Sequence, residues 1–253
     1  MKTNRLNAHI ISPKPLTTKG RILEAARILF NQHGTDEIST RQIAIELGIS
    51  HGNLCYHFPH KEDIIEALYK QLAEAMNAQV LALQTVPEKE PTTQKTKRTS
   101  TKKTHFPTVP ENQAPISLQG LLAGTVSSFE MLYQYKFLML DFVSVMRKLP
   151  SVRAHYTELV RLRKQQFTAL REQCVREGWM KAEVAGRLDE TMNEALFIVG
   201  DFWMASAEIL YEGEESKKIA YYAKVMEALM VPLLTEKGLR ELAATTTTPA
   251  EVV

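Results

Sequence analysis

The chain has 253 residues, of which 44% are hydrophobic, so it can build one large or two ordinary domains, and disorder throughout is excluded. Its formal net charge is only +2, so no overall basic field indicates a nucleic-acid partner, and any contact with DNA must rest on a local surface. The two cysteines, Cys55 and Cys174, lie far apart and form no CxxC pair, which argues against a disulfide framework and a cysteine-based zinc site.

The N-terminal segment 1–17 is polar and contains Pro13 and Pro15, so we predict a disordered arm rather than a signal peptide with an apolar core. No stretch of eighteen consecutive apolar residues occurs along the chain, which argues against a membrane span. Together these observations predict a cytoplasmic protein with no membrane partner.

Apolar residues recur at helical spacing along most of the chain, and strict alternation is scarce, so the pattern predicts an all-α fold. Residues 18–60 are predicted to form three helices. Gly34 is placed to end the first helix, since glycine readily adopts the left-handed conformation found there. Ser39 followed three residues later by Gln42 forms a capping-box pattern that opens the second helix, and Ser50 opens the third.

The remainder of the chain contains one connecting helix, one insertion and one larger domain. A long amphipathic helix is predicted over 61–85. Residues 86–115 are rich in Thr, Lys and Pro and have too few apolar residues to offset the entropy cost of ordering, so we predict a flexible linker insertion. Its basic run 95–103 could contact DNA phosphates, although a solvated loop is favoured. Helical periodicity returns over 116–236, which is predicted to form a helical bundle, and 237–253 is predicted to be a disordered tail.

Residues 40–58 read TRQIAIELGISHGNLCYHF, a helix, a turn with glycine and a second helix, which is typical of a DNA-binding helix-turn-helix. On the second helix, Leu54 and Phe58 share one face, while Asn53 and Tyr56 fall on the other. The apolar pair can anchor the helix and leave a polar, aromatic face for a major groove. An ordinary helical hairpin is the alternative interpretation.

The side chains of this segment suit contact with DNA. The Asn53 amide can pair with an adenine edge, and Tyr56 can reach phosphates or thymine methyl groups. Free backbone amides at the two helix N-termini favour phosphate. The predicted DNA-contacting residues are Thr40, Arg41, Ser50, His51, Gly52, Asn53, Tyr56, His57 and Lys61. Zinc bound by His51, His57 and His60 is disfavoured because their spacings do not share a helical face and no fourth ligand is near, so we predict no metal and no cofactor.

The stretches ILEAARILFNQHG, TRQIAIELGIS and GNLCYHFPHKEDII, all within residues 20–68, resemble the N-terminal domain of the TetR (tetracycline-repressor-like) family. This resemblance implies that Arg41, Ser50, His51, Asn53, Tyr56, His57 and Lys61 face DNA. Two departures stand out. Cys55 occupies a position where the family commonly has tyrosine, and the linker 86–115 is longer than the usual connection.

The resemblance also implies a C-terminal domain that binds a ligand and dimerises through its last two long helices, here predicted over 182–211 and 216–234. Dimerisation also follows because one recognition helix reads few base pairs, whereas two held about one DNA turn apart (roughly 34 Å) read a near-palindrome. Most aromatic and Met residues of this domain must form its core. The candidate ligand-binding residues are Phe129, Tyr133, Phe137, Phe142, Met146, Phe167, Phe197, Asp201, Trp203 and Met204. Asp201 could meet a cationic ligand or pair with an arginine.

The sequence therefore predicts a DNA-binding transcriptional regulator, a repressor that binds a near-palindromic operator as a homodimer and is released by a small apolar or amphipathic ligand. The alternative is a regulator whose C-terminal domain only dimerises or recruits a protein, which would have a filled core without a ligand-sized cavity. Activation and corepressor-dependent repression also stay open. An enzyme is disfavoured because GxSxG, HExxH and phosphate-binding glycine motifs are missing from the sequence.

Overall fold

The computed structural model describes residues 16–84, 118–182 and 188–246 of the chain. Within these ranges every regular element is a helix, and the one pairing of β type is an isolated bridge between Met180 and Leu234. The all-α prediction is therefore confirmed. The chain divides between Ala67 and Leu68 into two compact units.

The first unit contains α1 (Thr18–His33), α2 (Thr40–Glu46), α3 (His51–His57) and the start of α4 (Lys61–Gln84). Local chemistry explains where these helices begin. The Ser39 hydroxyl accepts a hydrogen bond from the Gln42 amide, and the Gln42 side chain accepts one from the Ser39 amide at 2.8 Å, so the predicted capping box is confirmed. Ser50 caps α3 by accepting from the Asn53 amide at 3.1 Å.

Two glycines end helices, Gly34 as predicted and Gly48 in addition, because they adopt positive φ angles that other residues rarely take. Gly34 follows α1 with φ 81°, and Gly48 follows α2 with φ 65°. Thr17 belongs to the arm predicted to be disordered, but its hydroxyl group caps α1 by accepting a hydrogen bond from the Gly20 amide at 3.1 Å. Residues 1–15 of that arm lie outside the described residues.

The core of the first unit takes one apolar face from each helix. Its fully buried side chains are Ile22, Ala26, Phe30, Ile43, Leu54 and Ile64. Burying one such aliphatic side chain stabilises the fold by about 2 kcal/mol, which is enough to hold the short helices α2 and α3 in a fixed arrangement.

In its described ranges, the second unit contains the rest of α4 and seven further helices, with two short 3₁₀ turns at Glu215–Lys217 and Val231–Leu233. The helices are α5 (Leu118–Gln134), α6 (Lys136–Leu140), α7 (Phe142–Lys148), α8 (Pro150–Arg176), α9 (Leu188–Leu210), α10 (Lys218–Met230) and α11 (Glu236–Thr246). Among the described residues no helix is long and apolar enough to cross a membrane.

Helix α11 corrects the prediction that the tail is disordered from residue 237. Leu242 is buried in an apolar cluster with Leu118 and Cys174, so the helix has a core-facing side that the Thr-rich composition concealed. Gly238 makes the close packing possible, since a Cβ at this position would lie 2.3 Å from the Trp179 carbonyl oxygen. Residues 247–253 and the predicted linker 86–115 lie outside the described residues.

Candidate DNA-binding surface and internal cavity

Helix α3 has one buried and one exposed face. Leu54 is fully buried and Phe58 nearly so, whereas Gly52 and Asn53 are exposed and Tyr56 is 84% exposed. This is the two-faced arrangement that the spacing predicted. The helix, HGNLCYH, contains no acidic residue, so its outer face presents hydrogen-bonding and aromatic groups without charge repulsion towards phosphate.

Helices α2 and α3 are joined by His51, whose ring lies between them. Its Nε2 lies 3.0 Å from the Thr40 hydroxyl and 3.4 Å from the Cys55 sulfur. Thr40, His51 and Cys55 are all half-buried, whereas Arg41 is exposed. Thr40 and His51 therefore fix the two helices against each other, and a contact of either with DNA stays a prediction.

The other predicted DNA-facing residues lie at the ends of α3 and the start of α4. His57 is half-buried and packs edge-to-face with Tyr56, with ring centroids 5.2 Å apart. The Lys61 ammonium donates to the carbonyl oxygen of buried Thr35 at 2.6 Å. Since an ammonium has three N–H groups, Lys61 keeps donors for a phosphate while it holds the loop before α2. Sequence reasoning did not anticipate this tether.

The second unit contains a partly open cavity of about 330 Å³, lined by α4, α5, α8 and α9 and by parts of α6, α7, α10 and the segments beside them. Apolar side chains form most of its wall. Six methionines take part: Met76, Met139, Met180, Met192, Met226 and Met230. A space of this size lies within the range of small-molecule sites, and unbranched Met side chains can adapt to different occupants.

Half of the predicted ligand-binding residues line this cavity, namely Phe129, Phe142, Phe167, Phe197 and Asp201. The other half do not: Tyr133, Phe137, Met146, Trp203 and Met204 are absent from its wall. The prediction is corrected for these five.

Two physical reasons account for four of the five residues outside the wall. Phe137, Trp203 and Met204 are buried in the core, and Trp203 stacks on Phe129 with ring centroids 4.7 Å apart, one layer behind the wall. Tyr133 instead donates a hydrogen bond from its hydroxyl group to the Glu215 carboxylate.

Arg163 of α8 is a polar residue of the wall that sequence reasoning missed. Its guanidinium donates to the Gln166 side-chain oxygen at 2.8 Å and to the Asn77 side-chain oxygen at 2.5 Å. Burial lowers the pKa of Arg163 to about 10, so the group stays cationic at neutral pH. The neighbouring Arg161 and Lys164 lie at the surface in ion pairs. The basic segment 161–164 therefore gave no indication that Arg163 lines a cavity.

Asp201 of α9 is the acidic residue of the wall. It accepts a hydrogen bond from the Tyr156 hydroxyl, another wall residue, rather than pairing with an arginine. Burial raises the pKa of Asp201 above its usual value, and the bond from Tyr156 partly opposes this change. The pKa of Tyr156 is also raised, chiefly by burial and also by Asp201.

A helix-turn-helix with an exposed second helix, in a chain that also contains a helical domain, is the arrangement of a DNA-binding transcriptional regulator. Two family models match the sequence. The model described as a bacterial transcriptional repressor, TetR, matches residues 104–242, and the model for bacterial regulatory proteins of the tetR family matches residues 22–68. The chain belongs to the TetR family, whose members are regulators rather than enzymes.

Solved structures share the fold. A TetR-family transcriptional regulator from Marinobacter aquaeolei VT8 is 23% identical, with a TM-score of 0.71 over 91% of this chain and 98% of that one. A regulator from Saccharomonospora viridis, solved in complex with choline, is 19% identical, with a TM-score of 0.61 over 86% and 98%. The ketosteroid transcriptional regulator KstR2 of Mycobacterium tuberculosis is 15% identical, with a TM-score of 0.57 over 89% and 100%. No curated protein matches the sequence.

Proposed function

We propose that this regulator is a homodimeric repressor that binds a near-palindromic operator and leaves it when a small apolar or amphipathic ligand occupies the cavity. The observation that carries the proposal is the cavity of about 330 Å³. A domain that only dimerised or recruited a protein would have no need of such a space, because filling it with side chains would stabilise the fold.

The exposed face of α3 supports operator binding. Asn53 and Tyr56 stand on its outer side, and Arg41 is exposed on α2. An amide can read an adenine edge in the major groove, while a guanidinium near a helix N-terminus can hold a phosphate. The nine predicted DNA contacts are retained as proposals on this ground.

The outer surfaces of α9 and α10 support dimerisation. Ile198, Phe202 and Ile209 are exposed on α9, with Ile209 78% exposed, and their spacing of four and seven residues places them along one stripe. Tyr221 is exposed on α10. Large side chains grouped on two long helices favour a four-helix contact across a two-fold axis.

Helix α4 offers a route from ligand to operator. It begins at Lys61 in the first unit, and Leu72, Met76 and Val80 of its second half line the cavity. A ligand that favours a different position of this helix would change the spacing of the two recognition helices in a dimer. A full switch from 99:1 to 1:99 requires a roughly 10⁴-fold preference of the ligand for the released state, near 5.5 kcal/mol.

The test is operator affinity, measured by fluorescence anisotropy with and without a broad panel of apolar and amphipathic ligands. At least one ligand should weaken operator binding by an order of magnitude or more. Asn53→Ala should relax preference at one base pair of each half-site by about 1 to 3 kcal/mol, while Gln32→Ala, at an exposed position of α1, should leave it unchanged. Unaltered operator affinity across the whole panel would favour a domain that only dimerises or recruits a protein.

A further inference from the structure

The cavity contains a positive charge that no residue of the described ranges neutralises. The Arg163 guanidinium donates to Gln166 and Asn77, and both of these acceptors are neutral amides. Among the described residues no carboxylate lies in ion-pair contact with Arg163. A guanidinium has five N–H donors and stays protonated, so its buried charge is costly unless an anion compensates it.

Asp201 places no comparable demand on a ligand. A carboxyl group can lose its charge by taking up a proton, and Tyr156 already donates a hydrogen bond to it. Burial shifts the pKa of Asp201 in the direction that favours the neutral form. Between Asp201 and Arg163, it is therefore Arg163 that requires a charged partner.

Helix α8 positions these polar groups along one side of the cavity. Tyr156 and Arg163 are seven residues apart, which places them on the same face with a separation of about 10 Å along the helix axis. Between them Leu159 and Val160 also line the cavity, and Phe167 and Leu170 continue the wall beyond Arg163. The wall thus places the Arg163 guanidinium beside an extended apolar surface, and a second arginine, Arg171, lines the cavity eight residues further along the same helix.

We infer that the effector is an organic carboxylate with an elongated apolar body, its carboxylate bound by Arg163 and its body against the Met-rich wall. This inference rests on the proposed function and specifies the chemistry of the ligand. A planar guanidinium can bind a carboxylate through two parallel hydrogen bonds, which fixes the ligand's orientation as well as its charge. The remaining wall supplies affinity through apolar contact.

Ligand contact with Arg163 also reaches α4. Asn77 belongs to that helix, and it accepts from Arg163. A carboxylate competes with Asn77 for the same guanidinium, so binding changes the contacts of the helix that begins at Lys61.

The test compares three probes with the same apolar body and different head groups: decanoate, decanol and decyltrimethylammonium, each below its micelle-forming concentration. Binding to the full-length protein is followed by Trp203 fluorescence in a Trp179→Phe background, since Trp203 stacks on Phe129 of the wall. Arg163→Gln removes the charge. Arg161→Gln is the matched control, because Arg161 lies on the same helix but at the surface.

Decanoate should bind at least tenfold more tightly than decanol, which corresponds to about 1.4 kcal/mol. Arg163→Gln should abolish this preference while decanol affinity stays within about twofold, and Arg161→Gln should retain it. Equal binding of decanoate and decanol to the unsubstituted protein, or no binding of decanoate, overturns the inference whether or not Arg163→Gln folds. Tightest binding of decyltrimethylammonium overturns it in favour of a cationic ligand at Asp201.

Operator affinity, measured in parallel, separates this inference from the proposed function. Preferential binding of decanoate that leaves operator affinity unchanged contradicts ligand-released repression only. Release of the operator by all three probes alike contradicts the carboxylate assignment and leaves ligand-released repression in place.

Discussion

Filling the cavity from Gly200 should stabilise the protein and abolish its response to ligand. Gly200 lies within α9 and lines the cavity, and a Cβ added there meets no heavy atom within 4 Å. Glycine inside a helix costs about 0.5 to 1 kcal/mol relative to alanine, so Gly200→Ala should raise the free energy of unfolding by that amount. Gly200→Leu should add burial of an apolar side chain, for a total gain of about 1 to 3 kcal/mol.

The assay combines denaturant unfolding, thermal unfolding and operator binding. Each 1 kcal/mol should raise Tm by roughly 2 to 4 °C for a domain of this size. Gly200→Leu should keep operator affinity and lose the effect of ligand, whereas Thr191→Leu, at an exposed position of α9, should retain it. If Gly200→Leu instead lost more than about 1 kcal/mol, the new side chain would be overpacking a filled core, and the reasoning from an open cavity would be refuted.

Three further changes test other parts of the molecule. Ile209→Glu places a charge on the exposed stripe of α9 and should convert a dimer to a monomer in sedimentation analysis; a dimer that persists would locate the interface elsewhere. Ser39→Ala removes the capping box of α2 and should cost about 1 kcal/mol in denaturant unfolding, with no loss expected if the cap is unimportant. Asp201 has a raised pKa in the folded state, so between its unfolded-state and folded-state pKa values this group binds more protons in the native protein than in the unfolded chain, and its contribution to stability should be lost as the pH rises through the folded-state pKa. Asp201→Asn should lack this loss in thermal unfolding measured over the same pH range, and parallel pH profiles of the two proteins would contradict the assignment.

Local structure in the first unit could be predicted because its signals are short-range. Ser39 and Gln42 form a capping box through atoms three residues apart, and Gly34 adopts the positive φ that a helix end requires. The two faces of α3 followed from the same logic, since Leu54 and Phe58 fall on one side of any helix built from this sequence.

The residues that line the cavity could be predicted only in part, because periodicity identifies the inward face of a helix without revealing whether neighbouring helices fill the space behind it. Phe137 and Phe142 have the same side chain and both lie in short apolar helices, yet only Phe142 lines the cavity. Arg163 was missed because it lies in the basic segment RLRK, whose other two basic residues, Arg161 and Lys164, form ion pairs at the surface. The α11 helix was missed because its buried Leu242 lies in a polar, Thr-rich segment.

If two copies of α3 read DNA together, selection of bound sequences from a random DNA pool by the full-length protein should reveal it. We expect enrichment of a two-fold-symmetric site whose half-site centres lie about one helical turn apart, roughly 34 Å. An enriched site without two-fold symmetry, or no enrichment above the starting pool, would contradict it.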